Sequence, residues 1–216
     1  MLYCPNCGKG AKTLWRGCKE CGFDIDNEDL KVEAEFIKKN LLENDYNIIR
    51  NIEIIQGKRF EIWDEVKYNS SFTLAISNKR VSEIGFYKKV GSIEELFDEI
   101  KNLDALKSIC LRGQPMEELP ESITKLKNLE KVYLDRCHFE TFPPQLCKLT
   151  SLTELHIKQN DFTSLPTDID KLKSLKFLDI EGCELKLIPE SFGDLDSLEN
   201  LNLKGNKLEV LPESFG

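Results

Sequence analysis

The second half of the chain repeats one pattern of apolar and polar positions. It divides into lines of 23 residues that begin at Leu106, Leu129, Leu152, Leu175 and Leu198. Each line carries apolar residues at places 1, 4, 6, 11, 14 and 18 and proline at place 15, and the first four lines also carry an apolar residue at place 21. The alternation at places 4 and 6 predicts a short strand, and the later apolar places predict a turn and a return segment. A fixed period of this length predicts stacked copies of one unit.

The residues at place 9 indicate which type of repeat the chain resembles. They are Gln114, Cys137, Asn160, Cys183 and Asn206. The pattern resembles the leucine-rich repeat, L-x-x-L-x-L-x-x-N/C-x-L, and within it the 23-residue repeats of Ras-group and related cytosolic proteins. This resemblance implies an α/β leucine-rich repeat solenoid with a parallel concave sheet, whose core no single repeat can bury alone. It also implies that Cys137 and Cys183 are buried and structural, and that Gln114 belongs to a first repeat placed against a cap.

The segment before Leu106 predicts a cap and an irregular repeat. Residues 81–105 carry the apolar places with a two-residue insertion, and FTLAISNKRVSEIGFY alternates around Asn78–Lys79. That alternation predicts a hairpin that closes the N-terminal edge of the sheet. Residues 28–56 suit two helices, with apolar faces at Val32, Phe36, Ile37 and Leu41 and at Tyr46, Ile49 and Ile52.

These patterns predict a division of the chain. We expect a helical and hairpin N-terminal cap over residues 26–80, a degenerate first repeat over residues 81–105 and regular repeats over residues 106–216. A separate small module over residues 1–25 completes the division. It is defined by its cysteines.

The N-terminal module contains two C-x-x-C pairs separated by ten residues. Four thiolates at this spacing favour tetrahedral zinc, with Cys4, Cys7, Cys18 and Cys21 as the ligands. The sequences CPNCG and CKECG resemble the zinc ribbons of many cytosolic proteins. A redox pair would need one C-x-x-C at a helix start in a βαβ setting, and neither pair has that context. Four protein ligands leave no open coordination position, so the predicted Zn²⁺ is structural.

The role of this ribbon stays open between a folding cap and a docking surface. Its net charge is +2, from Lys9, Lys12, Arg16 and Lys19 against two acidic residues. Zinc with four thiolates contributes −2, which offsets that charge. The whole chain carries −8, a poor basis for binding nucleic acid. These charges do not favour nucleic acid as the main partner. A nucleic-acid- or ribosome-associated adaptor that acts through the ribbon is kept as the alternative function.

Side chains at places 3, 5 and 7 are expected to point from the concave sheet into solvent. Tyr133, His156 and Phe177 are predicted to be exposed rings near the middle of this face. Aromatic rings are enriched at binding hot spots, although scattered surface aromatics are also normal. The sequence therefore predicts a protein-binding face. Its expected partner-binding residues are Lys131, Tyr133, Glu154, His156, Phe177 and Asp179.

Charges at place 7 alternate in sign along the array. The residues are Arg112, Asp135, Lys158, Glu181 and Lys204. Oppositely charged lateral neighbours stabilise a sheet by about 0.2–1 kcal/mol each. We therefore expect a self-neutralised ladder that does not attract a strongly charged partner.

Enzymatic activity is not expected. Cys110 and His156 share place 5, but they lie two strands apart, about 9–10 Å, which is too far for a nucleophile and its base. His156 beside Asp179 has no serine or cysteine on its other side. The sequence has no G-x-x-x-x-G-K-[ST] or G-x-G-x-x-G motif for a nucleotide. The prediction is a non-enzymatic interaction or scaffold module, and the resemblance implies signalling roles, with small GTPases among the partners.

Location and assembly follow from smaller features. No apolar run reaches the roughly 18 residues of a membrane span, and MLYCPNC lacks the features of a signal peptide. A cytoplasmic protein is therefore expected, in which C-x-x-C pairs favour metal. The last line ends before place 21, which leaves three alternatives: pairing at this end, a fragment of a longer protein, or a frayed turn. We expect a monomer or end-to-end association through this uncapped C-terminus.

Overall fold

The computed structural model describes residues 2–3, 10–11, 41–56, 61–63, 72–87 and 89–215. A two-residue antiparallel pair joins β1 (Leu2–Tyr3) to β2 (Gly10–Ala11). The elements that follow are α1 (Glu43–Gln56), β3 (Glu61–Trp63), β4 (Phe72–Ser77), β5 (Arg80–Phe86), α2 (Ile93–Ile100), β6 (Ser108–Cys110), β7 (Lys131–Tyr133), β8 (Glu154–His156), β9 (Phe177–Asp179) and β10 (Asn200–Asn202).

One sheet contains eight strands of the described chain, in the order β10-β9-β8-β7-β6-β5-β4-β3. Strands β5 to β10 run parallel to one another, and β4 pairs antiparallel to β5. Ser108 pairs with Lys131 and Lys131 with Glu154, so the register equals the 23-residue period. Glu83 pairs with Ser108, an offset two residues longer, as the insertion in residues 81–105 requires. The sheet is therefore the predicted stack of one strand per repeat.

The return segments are 3-10 turns. They span Glu121–Lys125, Pro144–Lys148, Thr167–Lys171 and Glu190–Asp194. Each begins directly after the proline of place 15, whose carbonyl accepts the first i→i+3 bond, as from Ile123 N–H to Pro120 C=O at 3.1 Å. Proline lacks an N–H, so it suits the position before a turn. In residues 81–105 the return is the α-helix α2 instead, with Ser92 Oγ accepting from Glu95 N–H.

The apolar places form one continuous core between the strands and the returns. In the third line, the residues at all seven places are buried: Leu152, Leu155, Ile157, Phe162, Leu165, Ile169 and Leu172. The same cluster extends from Ile48, Ile49 and Ile52 of α1 to Leu195 in the fourth line. No repeat encloses its own apolar residues, so stability depends on stacking between neighbours.

The side chain at place 9 forms hydrogen bonds with the repeat before it. The buried Asn160 accepts from the N–H groups of Cys137 and Phe139, both at 3.1 Å, and donates to the Leu134 carbonyl at 3.0 Å. The predicted burial of Cys137 is confirmed, and its thiol donates to the Leu111 carbonyl at 3.2 Å.

The Cys183 thiol donates to the Ile157 carbonyl in the same way. Burial raises the pKa of Cys137 to about 12 and that of Cys183 to about 11. Both thiols therefore stay protonated and can donate. Gln114 takes the same position against residues 81–105, where it accepts from Val90 N–H at 2.9 Å and donates to the Phe86 carbonyl.

A hairpin and a helix precede the repeats. Asn78 and Lys79 both have positive φ, as a two-residue hairpin turn between twisted strands requires. The buried Asp45 of α1 accepts from the Arg80 guanidinium at 3.0 Å and from Val81 N–H at 2.8 Å, so α1 is held to the hairpin. The expected edge position of the hairpin is wrong, because β3 pairs parallel to β4 on its outer side. The helix expected before residue 41 lies outside the described residues.

The last repeat leaves apolar surface uncovered. Leu198, Leu201 and Leu203 are partly exposed, whereas their equivalents one repeat earlier are fully buried. An open cleft of about 300 Å³ lies at this end and is lined in part by Leu198 and Phe215. No helix in the described residues is both long and apolar enough to cross a membrane.

This difference in burial predicts unequal costs for the same substitution. Leu178→Ala is expected to lower the free energy of unfolding by about 2–5 kcal/mol, because it removes a fully buried side chain. Leu201→Ala, at the same place in the last repeat, is expected to cost about 1 kcal/mol. Urea denaturation of both variants measures the difference. Equal losses would contradict the stacking described for the last two repeats.

Candidate interaction face

The candidate site is the side of the sheet that points away from the apolar core, here called the concave face. It carries the side chains at places 3, 5 and 7 of β6 to β10 and of the residues just after each strand. The parallel register places equivalent residues side by side, so Tyr133 lies next to His156 and His156 next to Asp179. The six residues predicted for this face are therefore brought together on β7, β8 and β9.

Three rings form a stacked row across these strands. The Tyr133 and His156 ring centroids are 4.7 Å apart with an interplanar angle of 19°, and those of His156 and Phe177 are 4.8 Å apart with an angle of 27°. The prediction that all three rings are exposed is wrong for Tyr133, which is buried, while His156 and Phe177 are half-buried. The stacking itself removes area from solvent, since each ring covers the face of the next.

The carboxylate of Glu154 contacts two of the three rings. Its Oε1 accepts from the Tyr133 hydroxyl at 2.8 Å and lies 2.9 Å from His156 Nε2, and its Oε2 lies 3.3 Å from Lys131 Nζ. Burial alone would raise the pKa of Glu154, but the bonds from Tyr133, His156 and Lys131 outweigh it and the pKa is lowered. Glu154 is therefore a carboxylate at neutral pH, and its acceptor sites are used within the chain.

The charges at place 7 form only part of the expected ladder. Arg112 pairs with Asp135 at 2.6 Å, as the alternation predicts. Lys158 Nζ instead pairs with Asp179 of place 5 at 3.4 Å, while its backbone N–H donates to Asp135 at 3.0 Å. Glu181 accepts from the Asn202 amide. Arg112 and Lys158 also lie on this face, as expected for place 7, but they were not among the residues expected to bind a partner.

Cys110 lies at the N-terminal border of the face in a small separate cluster with Tyr133 and Tyr87. It is buried, and that burial raises the pKa of its thiol. Strand β7, which carries Tyr133, separates Cys110 from His156 on β8. A protonated, buried thiol beyond a neighbouring strand does not supply a nucleophile to His156. Cys110 therefore contributes to packing at this border of the face and is not placed to act as a nucleophile.

Metal ligation stays a prediction for the N-terminal module. Cys4, Cys7, Cys18 and Cys21 lie outside the described residues. Among the residues that are described, no group of three or more His, Cys, Asp or Glu side chains could hold a metal ion. The four described cysteines, Cys110, Cys137, Cys147 and Cys183, are buried free thiols.

Comparison with known protein families identifies the repeats. A leucine-rich repeat family model matches residues 127–185, and a second leucine-rich repeat model matches residues 197–216. Both matched segments fall within the regular lines of 23 residues. No curated protein matches the chain.

Solved structures share the fold. An LRR protein of Leptospira interrogans is 24% identical, with a TM-score of 0.56 over 78% of this chain and 47% of that chain. The LRR ectodomain of the receptor kinase SOBIR1 from Arabidopsis thaliana is 17% identical, with a TM-score of 0.54 over 78% of this chain and 95% of that chain. The chain thus spans about half the length of the Leptospira protein. The sequence period, the parallel sheet and these matches together show that the chain carries leucine-rich repeats.

Proposed function

We propose that the chain is a non-enzymatic protein-interaction module that binds a protein partner through its concave face. The observation that carries this proposal is the stacked row of Tyr133, His156 and Phe177, held in place by Glu154. A surface fixed in this way loses little conformational entropy when a partner binds. Phe177 is half-buried at the end of the row and is an aromatic residue of the kind that anchors interfaces. Leucine-rich repeat proteins commonly mediate protein–protein interaction, which supports the same function.

The proposal includes a structural zinc ion bound by Cys4, Cys7, Cys18 and Cys21. Two observations support it. The spacing of the four thiols suits a closed tetrahedral site, and the antiparallel pairing of Tyr3 with Gly10 brings together the residues on either side of the first C-x-x-C pair in the sequence. The bound metal would supply folding free energy to the small module.

We also propose a reducing, cytoplasmic location. Thiols that bind zinc must stay reduced, and the described cysteines are free. This location agrees with the resemblance to cytosolic repeat proteins and ribbons.

The interaction proposal is tested by blocking the face without disturbing the core. The variant combines Phe177→Ala with Asn200→Arg, since Phe177 is half-buried and Asn200 is exposed beside it in the register. Ser164→Arg is the matched control, because Ser164 is exposed outside the strands. Affinity capture from the source cell's lysate, quantified by mass spectrometry, should retain a partner on the wild type and the control and lose it on the double variant. Identical capture by all three proteins would refute the proposal.

A further inference from the structure

The ion pairs of the concave face share an unequal exposure. In the three pairs that Lys or Arg makes with a carboxylate on or just after β6 to β9, the cation is the more exposed member. The exposed fractions of the side chains are 36% for Arg112 against 4% for Asp135, 48% for Lys131 against 26% for Glu154, and 30% for Lys158 against 8% for Asp179. The face therefore has an inner layer of carboxylates and an outer layer of cations.

Hydrogen bonds to the sheet hold the carboxylates in the inner layer. Asp135 accepts from the backbone N–H of Lys158 at 3.0 Å, and Asp179 accepts from that of Glu181 at 3.3 Å. Glu154 is held by the Tyr133 hydroxyl. Arginine and lysine have long stems that lie along the surface and carry their charged ends outward. The layering thus follows from side-chain length and from the acceptors that the sheet uses.

Neighbouring charges do not reverse this layering. Lys204, at place 7, is exposed just after β10. The remaining carboxylates of this face, Glu83 and Glu181, are half-buried, and Glu181 accepts from Asn202. A partner that approaches β7 to β9 therefore meets cationic groups first, although the whole chain carries −8.

The distances from a partner's carboxylate to the two layers decide whether it is attracted or repelled. A carboxylate that reaches an ammonium group at about 3 Å lies about 6 Å from the carboxylate paired beneath it. At equal dielectric the attraction is then about twice the repulsion. The alternation of charge in the sequence predicts no preference for charged partners, and the exposure difference reverses that expectation for short-range contacts.

We propose that the protein segment that docks on the concave face is acidic, with aspartate or glutamate side chains that pair with Arg112, Lys131 and Lys158, and with an apolar side chain packed against Phe177. This inference rests on the proposed function. Arg112 and Lys158 follow strands β6 and β8, two strand spacings or about 10 Å apart. A single phosphate group is too small to contact both, so several carboxylates along one peptide fit better.

The test is a selection from a displayed library of random 12-residue peptides on the full chain. We expect enrichment of Asp and Glu in the selected peptides. The variant Lys131→Glu with Lys158→Glu should bind these peptides about tenfold more weakly, whereas Lys171→Glu, an exposed cation outside the strands, should bind within about twofold of the wild type. The contrast should shrink in high salt. Circular dichroism confirms that each variant is folded.

Other outcomes overturn the inference in distinguishable ways. Peptides that lose binding on the Phe177→Ala/Asn200→Arg variant but carry no acidic bias would refute the acidic partner and leave the concave-face function standing. Peptides unaffected by that variant would refute both. A selection that yields no binder would also refute the acidic segment. Charge-sensitive binding of a fluorescent 20-nucleotide oligothymidine, without acidic peptide binding, would replace it with a nucleic-acid partner.

Discussion

Replacing Cys4 and Cys7 with serine is expected to abolish zinc binding by the full chain. Two of the four proposed thiolate ligands are removed, and Cys18 and Cys21 alone do not complete a tetrahedral site. The zinc content, measured by elemental mass spectrometry, should fall from one zinc per chain to a background level. Cys110→Ser is the matched control, because Cys110 is buried on the concave face and should not affect the metal content.

The same substitutions should leave the repeats folded. The described apolar residues from α1 to Leu195 form a continuous core by packing against one another. We therefore expect an unchanged main unfolding transition together with loss of protease resistance in residues 1–25, since metal binding by a small zinc module is coupled to its folding. A variant that still binds one zinc per chain would refute the proposed ligand set. Loss of the main transition would show that the module supports the array.

Replacing Asn160 with alanine is expected to lower the free energy of unfolding by about 3–5 kcal/mol. The side chain accepts from the N–H groups of Cys137 and Phe139 and donates to the carbonyls of Leu134 and Ile157. The two N–H groups and the Leu134 carbonyl would be left buried without these bonds, which costs more than the net value of the bonds themselves. Alanine also leaves a small cavity in a packed core.

Asn206→Ala is the matched control for this prediction. Asn206 makes the equivalent bonds to Cys183 and Leu185, but it is half-buried in the last repeat. Water can therefore replace part of what is lost, and we expect a cost of about 1–2 kcal/mol. Urea denaturation of the two variants gives the comparison. A cost for Asn160→Ala no larger than that for Asn206→Ala would contradict the structural role assigned to place 9.

The repeats were predictable because one periodic pattern encodes both register and burial. The pairing of Ser108 with Lys131 follows directly from the period, and the shifted pairing of Glu83 follows from the two-residue insertion. The burial of Cys137 was implied by the resemblance to leucine-rich repeats, in which place 9 holds Asn or Cys. In each case many copies of one unit support the same assignment, so local ambiguity averages out.

Features outside the repeat could not be predicted in this way. Strand β3 is three residues long and has no copy elsewhere, so its alternation gave too little signal. Short elements of this kind are fixed by tertiary contacts more than by sequence pattern.

The candidate face shows a second limit of sequence reasoning. Its residues were located correctly by place, but their exposure depends on neighbours. Tyr133 is buried because His156 stacks on it and its hydroxyl reaches Glu154. Lys158 has two carboxylates within reach, and its ammonium group pairs with Asp179. Alternation along a strand gives the direction of a side chain but not the partner that it selects.

The central claim is that a protein partner covers the concave face, and hydroxyl-radical footprinting of the chain with its captured partner tests it most directly. Phe177 is accessible on that face, and Leu187 is exposed outside the strands. The partner is expected to slow oxidation of Phe177 several-fold and to leave that of Leu187 unchanged. Protection of Leu187 with unchanged oxidation of Phe177 would contradict it.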